Sequence, residues 1–218
     1  MTLNEYMKRA QERPEWRPGL DAIAAQLEAV YGKNTFQYID RASILDECEG
    51  VEGFGLVALP DGYMCIVTCG LTNLDASGDA YGNVLSGWGY ELTVRWPGNS
   101  VESCYDAFAL LNRLAAYTEI KKLRHRAWQV FSLGRLFPVL AVRSDSFAGV
   151  LFVEDAAIPS IDTVNGRVKF LQIVNLTAKE LAKLRISRHL ARQLAFNMAK
   201  LNPTLRIDTA RIENYLAV

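Results

Sequence analysis

The chain has 218 residues, 24 Lys+Arg against 24 Asp+Glu, 50% hydrophobic and 10% aromatic residues, and 7 prolines. This composition excludes a disordered or collagen-like chain, and the length allows an adequate core without disulfide or metal staples. The zero net charge conceals an asymmetry: residues 1–112 hold 7 basic and 16 acidic side chains (−9), whereas residues 113–218 hold 17 and 8 (+9). If the folded halves stay apart, each creates its own field.

Met1 to Trp16 is charged throughout, and no apolar run reaches the roughly 18 residues of a membrane span, so neither secretion nor membrane insertion is expected. Cys48, Cys65, Cys69 and Cys104 lack metal-ligand spacing. Cys65 and Cys69 fall within one predicted strand, where four residues span about 13 Å, beyond the reach of a disulfide. All four are expected as free thiols in a reducing cytoplasm.

Leu3 to Arg13 is a polar helix ended by Pro14; Pro18-Gly19 opens a second, with Ile23, Leu27 and Val30 apolar, that stops at Gly32. Phe36 to Leu45, Phe54 to Leu59 and Tyr63 to Thr68 read as antiparallel strands, with Pro60-Asp61-Gly62 as a turn. Trp88 to Trp96 has a strict period of two. Trp88, Tyr90, Leu92, Val94 and Trp96 make a core face, while Gly89, Glu91, Thr93 and Arg95 make a second face presenting a charge pair.

Cys104, Phe108, Leu111 and Ala115 then mark an amphipathic helix to about Tyr117. From Thr118 to Ser146, helix continuation and a strand pair both fit. Phe147 to Val153 is a strand, and Asn165-Gly166 joins Ile161–Val164 to Arg167–Val174 as a hairpin. Thr177 and Glu180 form a capping box opening helix in one or two pieces, which ends at Asn202-Pro203. The absence of a linker or repeat points to one domain over 18–218, with 1–17 as a helical extension. The expected fold class is α+β, a mostly antiparallel mixed sheet with helices packed against it.

Chemistry-bearing patterns are few. The two histidines, His125 and His189, do not share a helical spacing, and Gly-x-Ser-x-Gly is absent, so both read as surface residues by default. The glycines from Gly50 to Gly55 lie among Glu47, Glu49 and Glu52, which repel phosphate; a turn is the better reading. Lys121-Lys122-Leu123-Arg124-His125-Arg126, ending beside Trp128, is a basic run suited to a solvated helix face, an acidic protein partner or phosphate.

Ser86-Gly87-Trp88-Gly89-Tyr90-Glu91-Leu92-Thr93-Val94-Arg95 resembles the signature of the suppressor of fused family, and Pro18-Gly19-Leu20-Asp21-Ala22-Ile23 is similar to that family's opening, where an aromatic more commonly stands at Leu20. Gly70-Leu71-Thr72-Asn73-Leu74, Leu110 to Tyr117, Phe152 to Asp155, Ile161 to Val174, Leu176 to Leu181, and Asn202-Pro203-Thr204-Leu205 with Asp208 follow in the family's order.

The resemblance implies a non-catalytic protein-binding domain. Animal members hold a transcription factor in the cytoplasm, and single-domain bacterial members are proposed as immunity proteins against polymorphic toxins. It also implies a partner contact at Tyr117 and at an acidic position that aligns here with Leu133-Gly134-Arg135-Leu136, where a base replaces the acid. The expected function is cytoplasmic binding of a protein, such as a cognate toxin with an acidic surface, through Tyr117, Lys121, Lys122, Arg124, Arg126 and Arg135, without cofactor or metal. The alternatives are a hydrolase whose Ser or Cys converges with a histidine, discriminated by a deep pocket gathering Cys65, Cys69, His125 or His189, and nucleic-acid binding through the basic 113–143 segment.

Overall fold

The computed structural model describes residues 1–47, 49–134, 145–187, 189–211 and 214–216. Helix α1 (Leu3–Glu12) opens with a capping box between Thr2 and Glu5, and α2 (Pro18–Tyr31) has proline in its first turn, where its missing N–H costs nothing. Strands β1 (Gln37–Asp40), β2 (Gly53–Ala58), β3 (Tyr63–Cys69) and β4 (Leu85–Pro97) follow, then α3 (Tyr105–Lys121), β5 (Val130–Ser132), β6 (Gly149–Glu154), β7 (Ile161–Thr163), β8 (Gly166–Leu176), α4 (Ala178–Ile186) and α5 (Leu190–Leu201).

Among the described residues the strands form one eight-stranded sheet in the order β1-β2-β3-β4-β8-β6-β5, with β7 paired to β8. Every pairing is antiparallel except β4 with β8. The fold is therefore α+β, with a mixed, mostly antiparallel sheet.

Helices cover both faces of this sheet. On one, Tyr90, Leu92, Val94 and Trp96 of β4 and Leu171 and Ile173 of β8 pack against Phe108, Leu111 and Leu114 of α3. On the other, Ile23 and Leu27 of α2 cover Val57, Cys65, Val67 and Phe170, while Leu184, Leu194 and Met198 of α4 and α5 cover Leu151, Val153 and Val174. Two expectations are corrected here. Beyond Asp40 the chain turns into a short 3-10 segment, Arg41–Ser43, instead of continuing as strand to Leu45. The hairpin register is one residue earlier than Asn165-Gly166 suggested, because Thr163 pairs with Gly166.

A third correction concerns β4. Its polar face presents no charge pair to solvent, since Glu91, Thr93 and Arg95 are buried. As a central strand between two helical layers, β4 has no solvent face, and its polar side chains must find partners inside. Arg95 forks onto Asp155 at 2.8 and 2.9 Å, with the Tyr31 hydroxyl 2.9 Å away. Glu91 faces no cation among the described residues. Its Oε1 accepts hydrogen bonds from the Gly70 and Thr72 amides (3.2 and 2.9 Å) and the Thr72 hydroxyl (2.6 Å), and its Oε2 from the Leu71 amide (3.4 Å) and the Thr68 hydroxyl (2.6 Å).

Burial pushes the Glu91 carboxyl up to about 7 from 4.5, against the opposing pull of those hydroxyls and amides. Its folded pKa lies above the unfolded one, so its contribution to stability rises as pH falls from about 7 towards 4.5. Glu91→Gln, which turns an amide donor towards these donors, is expected to cost about 1–3 kcal/mol. It should also remove that rise from the pH dependence, as read by urea denaturation between these limits; an unchanged pH profile would contradict the assignment.

Candidate protein-binding cavity

Helix α3 ends where Lys122 takes a left-handed conformation (φ 50°) and the Leu123 amide donates back to the Thr118 carbonyl at 3.2 Å. The reversed chain lays the basic run along the α3 face of the sheet. His125, 2% exposed, is its anchor. The imidazole stacks on Phe152 at 4.3 Å between centroids and meets Phe131 edge-on at 6.0 Å. Its amide donates to the Tyr90 hydroxyl (3.3 Å), which is paired with the Thr118 hydroxyl at 2.9 Å. Three residues on, the Trp128 amide donates to the Phe152 carbonyl (2.7 Å) and leads into β5.

His125 packs inward on Phe152, and with its neighbours Arg124 and Arg126 it borders an open cavity of about 420 Å³ together with Tyr90, Ala127, Trp128, Glu154, Lys169 and Leu171. The signature strand accommodates the turn after β3 and the Arg124 guanidinium through its glycines. Gly87 (φ 51°) lies against the Leu71 carbonyl, where a Cβ would come within 2.6 Å of the oxygen. Gly89 (φ 79°) lies under the Arg124 guanidinium, where a Cβ would come within 2.7 Å. Side chains at these positions would be both strained and obstructed.

The expected site residues separate into groups. Arg124 and Arg126 line the cavity. Tyr117 is half-buried, its ring edge-on to Phe131 at 4.9 Å, and supports the cavity from behind. Lys121 and Lys122 are exposed at the end of α3 outside the lining; Lys122 pairs with Glu119 at 3.2 Å and lies 6.0 Å from the Trp88 ring. Arg135 and Cys48 lie outside the described residues. Lys169 and Glu154, which sequence reasoning did not single out, enter because β8 lies parallel beside β4 with Tyr90 opposite Lys169, and β6 places Glu154 opposite Leu171. The Lys169–Glu154 contact is 3.4 Å and exposed, a weak pair that leaves the lysine open to a new partner.

The default reading of His125 as a surface residue is also corrected. Burial lowers its pKa from 6.5, although the Leu114 carbonyl and the Gln129 side chain favour the charged ring. Cys65 and Cys69 lie under α2 on the opposite face of the sheet, and His189 is exposed before α5, so these described residues do not gather with His125. Burial pushes the Cys65 thiol up to about 11, away from nucleophilic use. Trp128 is 37% exposed, but the Arg192 guanidinium stands over its ring at 5.5 Å, occupying a face that a base would need.

The sequence profile of the suppressor of fused protein family matches residues 50–211. The chain belongs to the suppressor of fused family. A structure described as the Sufu-Fu complex is similar over 93% of this chain and 94% of that one, with a TM-score of 0.72 and 18% identity. Drosophila Suppressor of Fused is similar over 92% of this chain, with a TM-score of 0.70 and 20% identity; this chain spans 52% of its length. No curated protein matches. The block Ser86–Arg95, which resembles the family's signature, lies within β4, and the basic cavity is built beside it.

Among the described residues neither ring nitrogen of His125 has a partner in hydrogen-bond geometry, so the ring acts as a packed wedge. His125→Phe is expected to be neutral or stabilising by up to about 1 kcal/mol, and His125→Ala to cost about 3 kcal/mol. Because the folded pKa is lowered, the wild-type contribution present above 6.5 is lost as pH falls below it, and His125→Phe should abolish that loss. Thermal unfolding at neutral and acidic pH measures both; strong destabilisation by phenylalanine would show a polar role instead.

Proposed function

We propose that this domain is a non-catalytic, cytoplasmic protein-binding module whose partner places acidic side chains in the cavity between β4, β8 and residues 124–128. The observation that carries this reading is the convergence of Arg124, Arg126 and Lys169 on one open cavity, with Glu154 the single carboxylate among the described residues that line it. The loop is anchored by His125 stacked on Phe152, so the backbone that carries Arg124 and Arg126 is fixed before a partner arrives, which lowers the ordering cost of binding. Membership of the suppressor of fused family and the solved Sufu-Fu complex support a protein partner. The buried thiols of Cys65, Cys69 and Cys104 suit a reducing compartment, and no described helix is long and apolar enough to cross a membrane.

In its finer form the proposal is an immunity role: the domain neutralises a cognate toxin by covering an acidic surface. Complementary charge favours this task because it speeds encounter and rejects wrong partners. The test is co-expression with a toxin encoded by the neighbouring gene, followed by binding kinetics on the purified pair. Rescue of growth is expected. Lys121→Glu, outside the cavity, should mainly slow association, whereas Arg124→Glu with Arg126→Glu should also speed dissociation and weaken binding by about tenfold or more. Full affinity in the double variant, or rates that ignore salt, would overturn the cavity as the binding site.

A further inference from the structure

The outer face of α4 and α5 carries unbalanced positive charge among the described residues. Lys179, Lys183 and Arg185 of α4 and Arg192 and Lys200 of α5 are all exposed. The one carboxylate between residues 178 and 201 is Glu180, buried and bound by Arg211 at 2.7 and 2.9 Å. The cations themselves have only neutral hydrogen-bond partners among the described residues: Lys183 donates to the Leu216 carbonyl at 3.0 Å and Arg185 to the Ser132 hydroxyl at 2.8 Å. A charged face with no counter-ions among the described residues lowers its free energy by meeting negative charge from outside.

The same face exposes large apolar side chains. Phe196 is 64% exposed and Ile186 87%. Arg192, Phe196 and Lys200 recur every four residues and so share one stripe of α5, opposite the stripe of Ala191, Leu194, Ala195 and Met198 that packs into the core. Lys200 stands over the Phe196 ring at 4.5 Å, and Arg192 over Trp128 at 5.5 Å, so the stripe is continuous with the rim of the basic cavity.

These details select among anionic partners. Nucleic acid binds such surfaces by stacking bases on open ring faces, and here a cation stands over one face of each ring. A membrane surface requires an apolar helix face free to sink among lipids, whereas the apolar stripe of α5 is spent on the core. An acidic segment of a protein meets the constraints. Its carboxylates replace solvent around the five cations, and its apolar side chains cover Phe196 and Ile186.

We infer that the outer face of α4 and α5 is a second docking surface, for an acidic amphipathic segment of a protein partner. It goes beyond the cavity reading and does not depend on it. The probe is a synthetic helical peptide with leucines along one side flanked by glutamates. Its controls are the same peptide with serine for leucine, an oligothymidylate of equal charge, and phosphatidylserine vesicles. Binding is followed by fluorescence anisotropy, and the site is mapped from amide shifts of the full chain.

The leucine peptide is expected to bind best, with shifts centred on residues 179–201. Arg192→Glu with Lys200→Glu, and separately Phe196→Ser, should weaken it about tenfold. All three side chains are exposed, so the variants should keep the wild-type unfolding temperature. The cavity variant Arg124→Glu with Arg126→Glu should change its affinity less than about twofold. Tighter binding of the oligonucleotide or vesicles, equal binding of the serine peptide, or shifts centred on residues 121–131 would overturn the inference. In each of those cases toxin neutralisation through the cavity would stand or fall on its own kinetics.

Discussion

A single buried carboxylate organises this fold. Glu91 has no cationic partner among the described residues, and the donors that satisfy it come from the end of β3 and the turn that follows. A buried acceptor of this kind is expensive unless every donor is in place, which makes the turn as rigid as the strand. The same turn then receives the rest of the molecule. The Leu71 carbonyl accepts from the Trp88 amide, Asn73 donates to the Ser86 hydroxyl, and Leu74 accepts from Gly19 at the start of α2. Asn165 of the β7–β8 hairpin donates to the Asn73 and Asp75 carbonyls, and its own carbonyl oxygen accepts from Tyr6 of α1.

That hub makes physical sense of sequence blocks that are far apart. Pro18-Gly19, Gly70 to Leu74, Ser86 to Glu91 and Asn165-Gly166 are scattered along the chain, yet they meet at one place through hydrogen bonds made mostly by backbone groups and small polar side chains. The glycines at 87 and 89 belong to the same requirement, one clearing the turn and the other clearing Arg124. Family resemblance and structural necessity coincide there. The cavity lies one strand position away, so the rigidity of the hub extends to the surface that meets a partner.

The opposed charges of the two halves are only partly cancelled by folding. Arg113 pairs with Glu47 and Arg206 with Asp61, each across the division at Asn112. What survives is a basic surface at the exit of α3 and across α4 and α5. Periodicity exposed the helices, most strands and the α4 cap, because each depends on neighbours close in sequence, while it left open whether the C-terminal helix is one piece or the two that form. It misjudged the polar face of β4, because burial by α2 is a property of the assembled sheet, and it placed His125 at the surface because nothing local shows Phe152 beneath it. Arg124 and Arg126 were legible as a basic run. Lys169 and Arg192 were not, since only the parallel β4–β8 pairing and the sheet edge at β5 bring them near.

The claim on which the account rests is that the turn after β3 is held from inside by Glu91. Native-state amide hydrogen exchange reads it directly on the unaltered protein. The amides of Gly70, Leu71 and Thr72, though in a turn, are expected to exchange only by the global unfolding that also exposes β4. Exchange of these amides at the rate of an ordinary surface turn, while β4 stays protected, would contradict it.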